Sequence, residues 1–508
     1  MKKNCFIVLT LLLSTTFVNS QGVFDAVRFT TPAINGTARY MSMAGSFGAL
    51  GGDVSAIMDN PATLGIFRSS EFNLSVKLLP TSTVGTWGDT KYKANSTSFK
   101  LNNFSWVLNL PSGRETGYMA SNFSFAYFKL KDFNRSVALK TRDYSVSLTD
   151  FMASMTNGLS EQALQFDDGN NYNPYNNADI GWLSALGYQG YLIEPDTTSS
   201  VPNSWNSLLK SGEKVSPKYQ ATESGNVANF NVSYSGNISD VVYFGTGVSI
   251  QTLDYLLTSH YGEDFETGGN FDLGTLLKTD GIGVNFNFGL IYRPSSVLRF
   301  GASFQTPTYY GMSDKNYADI TRENGYHTTS NEALTEYRFK TPFKFQLSAG
   351  AVVGTVAAFN VDYQYSALNK MRFGDYNNDA FTDLYSLDNK DISNLAKATS
   401  TVKIGAEVHT AKHVKLRGGF AYATSPIAQK AVKPLIYNTV RTDTEYFTEQ
   451  SQIFASCGVG FNWDELFLDL AYMYNRRNQT FMPFLANGKS AQVASNYHNI
   501  VATLVWRY

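Results

Sequence analysis

Histidine and aspartate residues at short spacings are the first place to look for metal chemistry in this chain. His409 and His413 lie four residues apart, but a predicted turn separates them, so they share no helical face and a zinc site is not favoured. Asp375, Asp379 and Asp383 lie in a predicted outer loop at a spacing that misses the calcium-loop pattern. Loose binding of Ca²⁺ stays open there, and the sequence otherwise predicts no metal site and no cofactor.

Motifs for nucleotide binding and for acyl transfer are also weak. The stretch Gly45–Gly51 spaces its glycines loosely like a nucleotide loop, but no strand precedes it in a βαβ frame and no Lys-Ser or Lys-Thr pair follows. The G-x-S-x-G elbow does not occur. A net charge of −1 gives no electrostatic case for nucleic acid. The chain is predicted not to be an enzyme, although a Ser/His/Asp set assembled across strands stays open.

Six charged residues stand at regular places within apolar stretches. Each alternates with apolar neighbours, as Arg299 does between Leu298 and Phe300; the others are Lys344, Asp362, Lys403, Arg417 and Asp469. Successive side chains of a strand point to opposite faces, and a charge on a lipid-facing side costs about 2–4 kcal/mol at mid-membrane. We therefore expect all six in a lumen, as ion pairs or, for Arg299, Lys344 and Arg417, as partners of a ligand carboxylate.

The charges lie in segments that are predicted to be β-strands. From Glu71 to Tyr508, apolar and polar residues alternate with a period of two in these segments. Fourteen strands can be placed, joined by short turns and long connections in strict alternation, as is typical of bacterial outer-membrane barrels. The predicted fold is all-β, a 14-stranded antiparallel transmembrane β-barrel over 71–508 with a long extracellular insertion at about 131–225. A soluble sandwich or propeller is the alternative, but neither requires the short–long alternation.

Composition and the first residues agree with a place in the outer membrane. Charged residues make up 16% of the chain and aromatic residues 14%, whereas about 25% charge is usual for soluble proteins. Lys2, Lys3 and the apolar run Phe6–Leu13 predict a signal peptide over 1–20. We expect a monomer in the outer membrane of a Gram-negative bacterium, in contact with its lipid and lipopolysaccharide.

Residues 21–70 do not follow the strand pattern and are predicted to form a hatch, or plug, inside the lumen. Small residues allow close backbone packing there, and short helices satisfy their own hydrogen bonds. Apolar hatch residues, together with the Asn60-Pro61 turn, are candidates to line a ligand pocket: Phe29, Met41, Met43, Phe47, Leu50, Ile57 and Met58. Simple packing of the plug explains each of them equally well.

Several motifs resemble one family. Asp59-Asn-Pro-Ala-Thr-Leu-Gly65 resembles the hatch of the FadL/TodX outer-membrane transporters of hydrophobic compounds. Tyr292-Arg-Pro-Ser295, Phe359–Tyr365 and Leu416–Tyr422 resemble strands and hairpins of the same family.

The resemblance implies a hydrophobic small-molecule ligand and its passive uptake, for example of long-chain fatty acids or aromatic hydrocarbons. A structural or protein-secretion role is the alternative. The ligand, its head-group contacts, the role of the 131–225 loop and the exit route, lateral or periplasmic, stay open.

Overall fold

The computed structural model describes residues 22–376, 383–429, 431–433, 439–484 and 489–508. The predicted signal peptide 1–20 and Asp379 lie outside these ranges. Among the described helices, none is long and apolar enough to cross a membrane.

Fourteen antiparallel strands form a closed barrel, in which β1 pairs with β2 on one side and with β14 on the other. The strands are β1 (Glu71–Trp87), β2 (Thr90–Pro111), β3 (Tyr118–Asp132, continued by Arg135–Lys140), β4 (Val215–Ile238), β5 (Val242–Phe265), β6 (Phe271–Tyr292), β7 (Leu298–Gln305, continued by Tyr309–Arg322), β8 (Ala333–Lys340, continued by Lys344–Val353), β9 (Ala357–Ser366, continued by Arg372–Asp375), β10 (Thr399–Ala411), β11 (Val414–Ala423), β12 (Tyr446–Trp463), β13 (Leu466–Met482) and β14 (Ala491–Arg507).

The two faces of the wall follow the predicted alternation. On β1, Leu74 faces outwards and is exposed, whereas Asn73 and Ser75 face inwards and are buried. Leu504 and Trp506 of β14 are exposed on the same outward face. An apolar outer surface with polar inward positions is the pattern of a lipid-embedded barrel.

Strands β4, β5 and β6 are longer than the sequence pattern predicts. β4 has 24 residues, and at about 3.3 Å per residue and a tilt near 40° it rises about 60 Å, twice the thickness of the hydrocarbon core. The outer halves carry charged outward residues such as Asp254 and Lys278, so the apolar alternation is lost there. The connection predicted at 131–225 is shortened accordingly, because strand residues extend to Lys140 and resume at Val215.

An outer lobe fills the connection between β3 and β4. It contains the helices α3 (Leu148–Thr156), α4 (Glu161–Leu164) and α5 (Trp182–Gln189), and a small two-stranded sheet (Ile193–Pro195 with Trp205–Ser207). Ser147 and Asp150 form a capping box at α3. The buried Glu263 of β5 accepts a hydrogen bond from the Leu148 amide at 2.8 Å, which anchors the lobe to the barrel.

The hydrogen-bonded wall is interrupted between β2 and β3. Their pairing runs from Pro111↔Ala120 to Asn103↔Phe128 and ends there, although β2 continues to Thr90 against β1. Nine paired residues rise about 23 Å at a tilt near 40°. This interruption, called the seam below, therefore begins in the upper part of the membrane-spanning wall.

Strands β7 and β8 are each broken by a proline at the same level. Pro307 lies between the two parts of β7, and Pro342 between the two parts of β8. Proline cannot donate a main-chain hydrogen bond to a ladder. Thr308 and Thr341 bridge the break, because the Thr341 amide donates to the Thr308 carbonyl at 3.0 Å and the Thr308 amide donates to the Thr341 hydroxyl at 2.8 Å.

Residues 23–67 lie inside the barrel as short helices and turns. They comprise α1 (Val23–Thr30), α2 (Ala38–Ser42) and two 3₁₀ helices, Val54–Met58 and Pro61–Ile66. The helix α1 packs into the large outer hydrophobic cluster, whereas α2 belongs to a separate cluster further down the lumen. Ala38–Phe67 is called the lower hatch below.

Candidate functional site

The lower hatch approaches the wall so closely that several inward positions have room only for glycine. A β-carbon added at these glycines would overlap main-chain or side-chain atoms of the hatch: Gly245, Gly289, Gly301, Gly405 and Gly419. The wall and the hatch backbone are therefore in direct contact over several neighbouring strands.

The Asn60-Pro61 turn is held from both sides. The Asn60 side chain caps the following 3₁₀ helix by accepting a hydrogen bond from the Ala62 amide at 3.0 Å. Its amide group donates to the Gly48 carbonyl at 2.8 Å and to the Leu290 carbonyl of the wall at 3.3 Å. This residue therefore closes the turn and ties it to β6, which is a structural role.

Buried ion pairs join the wall to the hatch. Arg417 of β11 pairs with Glu407 of β10 at 2.6 Å and with Asp469 of β13. Glu407 also accepts from Arg39 of α2 at 3.0 Å. Asp362 of β9 accepts from the Phe47 amide at 3.0 Å. These pairs place the predicted lumen charges against the lower hatch.

The helix α1 forms a roof above the lower hatch. Arg441 binds Asp25 of α1 at 3.3 Å and also binds Asp443, which Lys433 approaches to 2.9 Å. Burial alone would raise the pKa of Asp443, but Arg441 and Lys433 together hold it well below its ordinary value. The roof is therefore fixed by ionised groups at neutral pH.

A cavity of about 150 Å³ lies between α1 and the lower hatch. Its apolar lining comes from both the hatch and the wall: Phe29, Met58, Leu130, Val227, Leu253, Tyr310, Phe339 and Pro342. Among the described residues, its polar lining includes Gln251, Gln364 and three lysines, but only one carboxylate, that of Asp59. An apolar cavity with a few convergent polar groups is the usual form of a small-molecule site.

The three lysines of the cavity differ in their partners. Lys403 donates to Asp59 at 2.7 Å, and the Tyr40 hydroxyl donates to the same carboxylate at 2.6 Å. Lys131 donates to the Arg28 carbonyl at 2.6 Å. The ammonium group of Lys344 has no hydrogen-bond or ion-pair partner within the described ranges of the chain. Lys344 is therefore the cation that the cavity offers to a ligand.

Three of the predicted ligand residues line this cavity: Phe29, Met58 and Lys344. The other apolar candidates pack between the hatch and the wall: Met41, Met43, Phe47, Leu50 and Ile57. Asn60, Pro61 and Arg417 have the structural contacts described above, and Arg299 donates to the Leu50 carbonyl at 2.6 Å. Contact with a ligand stays a prediction for all of them.

Sequence reasoning missed the contribution of the wall to the cavity. Tyr310 and Phe339 come from the outer parts of β7 and β8, beyond the proline breaks, and Leu253 comes from the extended part of β5. The alternation of residues along each strand indicates that these side chains point into the lumen. It does not indicate that they reach the cavity, because the level of the cavity along the barrel axis depends on where the hatch ends. The part of the chain that the structure describes contains no group of three or more His, Cys, Asp or Glu side chains placed to hold a metal ion.

No protein-family model and no curated protein matches the sequence. Solved structures do match in fold. The chain is similar to a FadL homologue of Pseudomonas aeruginosa at 12% identity and a TM-score of 0.54, with 94% of this chain and 99% of that chain covered. It is similar to the toluene transporter TodX of Pseudomonas putida at 11% identity and a TM-score of 0.52, with the same coverage. The predicted barrel and its likeness to FadL/TodX proteins are thereby confirmed at the level of the fold.

Proposed function

We propose that this chain is an outer-membrane channel for the passive uptake of hydrophobic small molecules into a Gram-negative cell. The observation that carries the proposal is the cavity of about 150 Å³ that lies between α1 and the lower hatch of a lipid-embedded barrel. One solved structure of similar fold is a toluene transporter, which supports the same class of cargo here. The outward apolar face supports contact of a monomer with outer-membrane lipid and lipopolysaccharide.

The size of the cavity favours a small cargo. An engineered cavity of about 150 Å³ in another protein takes up benzene. Burial of an aromatic ring removes about 150–250 Å² of surface from water, worth about 4–6 kcal/mol at ~25 cal/mol per Å². A single ring or a short chain fills the space, whereas a long-chain fatty acid would have to extend beyond it.

The charge of the cavity favours a cargo with an acidic group. Lys344 stands without a partner among the described residues, and the one lining carboxylate, Asp59, is already held by Lys403. A ligand carboxylate that reaches Lys344 forms a charge-assisted hydrogen bond. We therefore infer that small aromatic or short-chain acids bind better than neutral compounds of the same shape.

The exit route of the ligand is inferred from two features, the closed lower part of the lumen and the seam in the wall. The lower hatch fills the bore with backbone contacts, as at Gly245 and Gly419, which disfavours passage straight through to the periplasm. At the seam, β2 has no paired strand on its second edge between Thr90 and Asn102, within the described part of the chain. A lateral exit at the seam is the route that these observations support.

Uptake by cells tests the proposal. Cells with and without the protein receive labelled toluene, labelled benzoate or a labelled long-chain fatty acid, and initial uptake is measured. Val227 lines the cavity whereas Val232, on the same strand, faces outwards. Val227→Phe is expected to lower uptake and Val232→Phe to leave it unchanged. Equal uptake with and without the protein for all three compounds would contradict the function.

A further inference from the structure

Two positively charged side chains lie next to each other on the outward face of the wall. Lys340 of β8 and Arg372 of β9 are partners in the strand register, and Tyr309 of β7 is the partner of Lys340 on its other side. Their sequence neighbours Phe339 and Phe373 point into the buried outer cluster. Because successive side chains of a strand point to opposite faces, both cations face outwards. Lys340 and Arg372 are called the cation pair below.

The cation pair lies at the outer boundary of the apolar band. Leu298, Phe300 and Phe304 of β7 are exposed towards lipid, and the ring of Tyr309 follows them in the same outward row. From Leu298 to Tyr309 the strand rises about 28 Å at ~3.3 Å per residue and a tilt near 40°, close to the thickness of the hydrocarbon core. The ammonium group of Lys340 lies 5.4 Å from the centre of the Tyr309 ring. Lysines and aromatic rings take this place at the membrane–water boundary.

The cation pair differs from the lysines further out in its lack of a protein anion. Lys278 lies 2.9 Å from Asp280, and Lys315 lies 2.6 Å from Glu332. Among the described residues, no carboxylate lies within ion-pair distance of either member of the cation pair. Like charges at directly opposite positions of a β-ladder repel each other. An anion placed between the two side chains is therefore stabilising.

Arg372 is held in place with two of its donor nitrogens unused. One terminal nitrogen donates to the Asn369 carbonyl at 3.1 Å and to the Met371 carbonyl at 2.6 Å. The other terminal nitrogen and Nε have no partner within the described part of the chain. A guanidinium group binds a phosphate through two such donors, and a neighbouring lysine adds a further positive charge.

An aromatic surface lies directly below the cation pair, on the side of the hydrocarbon core. The Phe343 ring lies 6.0 Å from the Phe304 ring and 6.4 Å from the Tyr365 ring. Phe345 and Tyr363 continue this surface and are exposed towards lipid. Cations above a lipid-facing aromatic surface match the form of a lipid that has an anionic head group and acyl chains.

We propose that the cation pair binds the phosphorylated head group of lipopolysaccharide in the outer leaflet, with acyl chains of the same molecule on the aromatic surface below. Lipopolysaccharide is the anionic lipid that a Gram-negative outer membrane presents at this level, and its lipid A part carries the phosphate that the cations require. The inference deepens the contact with lipopolysaccharide under the proposed function and rests on the proposed place of the barrel in the outer membrane. It does not depend on any cargo in the lumen.

Binding of lipid A to the purified full chain in detergent tests the site. The affinity is measured by native mass spectrometry for wild type and for the double variant Lys340→Gln/Arg372→Gln. The double variant is expected to bind bisphosphorylated lipid A roughly 10- to 100-fold more weakly, because charge-assisted hydrogen bonds are lost. Lys278→Gln is the matched control, since Lys278 is also outward and exposed but already has Asp280 as its partner. This control is expected to bind lipid A as wild type does.

Three further probes identify the part of the lipid that is recognised. Dephosphorylated lipid A, phosphatidylglycerol and inorganic phosphate are each expected to bind wild type more weakly than bisphosphorylated lipid A. Equal binding of dephosphorylated lipid A would overturn recognition of the phosphate, and equal binding of phosphatidylglycerol would overturn the assignment to lipopolysaccharide. Inorganic phosphate that binds as tightly as lipid A would show a simple anion site and would overturn the assignment as well.

The affinity of the double variant decides whether the cation pair is the site. An affinity for lipid A equal to that of wild type, with folding of both proteins checked by circular dichroism, would overturn the proposal. The uptake of labelled toluene, benzoate and fatty acid is a separate measurement. If the wild-type chain takes up none of these compounds and the double variant still loses lipid A, the uptake function fails while the lipid site stands.

Discussion

Gly419 of β11 faces Met43 of the lower hatch so closely that a β-carbon at position 419 would overlap the Met43 main chain. The preceding residue, Gly418, faces outwards, and the nearest atom to a β-carbon there is 3.9 Å away. Two adjacent glycines therefore differ only in the face they occupy, which makes them a matched pair for testing how the hatch is seated.

Gly419→Ala is expected to destabilise the protein by about 1–3 kcal/mol, because overpacking must displace the hatch backbone or the strand. Gly418→Ala is expected to have almost no effect. Denaturant unfolding in detergent micelles measures both. If the two variants unfold alike, the hatch does not press against β11 as described.

Removal of Arg417 is expected to cost about 3–5 kcal/mol, because Asp469 and Glu407 are buried and would lose their shared cation. Arg417→Met is compared with Arg68→Met, since Arg68 pairs with Asp240 at the exposed end of the barrel. The exposed pair is expected to contribute at most about 1 kcal/mol. Similar losses of unfolding free energy for both variants would contradict the buried network.

Lys344→Met is expected to weaken binding of benzoate by roughly 10- to 100-fold, the equivalent of a charge-assisted hydrogen bond of about 1.5–3 kcal/mol. Binding of toluene is expected to stay the same, because no charge is involved. Lys340→Met serves as the control, since Lys340 lies on the same strand and covers the outward ring of Tyr309. Equal losses for benzoate and toluene would indicate a general loss of cavity shape.

Strand parity in the sequence was sufficient to predict which face carries the charges. Arg417 and Asp469 were placed in the lumen from their apolar neighbours alone, and both lie there. Their partner Glu407 was not singled out, because the pairing of β10 with β11 depends on a register that one strand cannot reveal. Arg39 belongs to the hatch, whose path through the lumen has no periodic signal.

The alternation along the strands places both Lys344 and Lys403 in the lumen, but it does not show which of the two has an ion-pair partner. The distinction comes from the hatch, because Asp59 reaches Lys403 and leaves Lys344 without a described partner. The outer halves of β4 and β5 escaped prediction for another reason. Outside the membrane, either face of a strand can carry polar or apolar residues. An alternating pattern in the sequence therefore no longer identifies the strand residues there.

The last prediction concerns Asp388 on α6 (Ser386–Leu395), which packs against α1 outside the membrane-spanning wall. Asp388 is 8% exposed, and burial raises its pKa from 3.8 to about 7, with a further contribution from Asp391 and Asp25. In the unfolded chain the carboxyl group ionises near pH 4. Between pH 4 and pH 7 the unfolded state therefore binds fewer protons than the folded state, and stability falls as the pH rises through this window.

Asp388→Asn removes the ionisable group, and the fall in stability between pH 4 and pH 7 is expected to disappear with it. The midpoint of thermal unfolding is expected to be the same for variant and wild type at pH 4, and higher for the variant at pH 8. The exposed Asp179 of the outer lobe provides the control, and Asp179→Asn is expected to show no such dependence on pH. A difference in unfolding midpoint between Asp388→Asn and wild type that stays constant from pH 4 to pH 8 would contradict this prediction. It would mean that Asp388 is not held in its neutral form against α1. The difference grows with pH only if the carboxyl group ionises at a higher pH in the folded state than in the unfolded state.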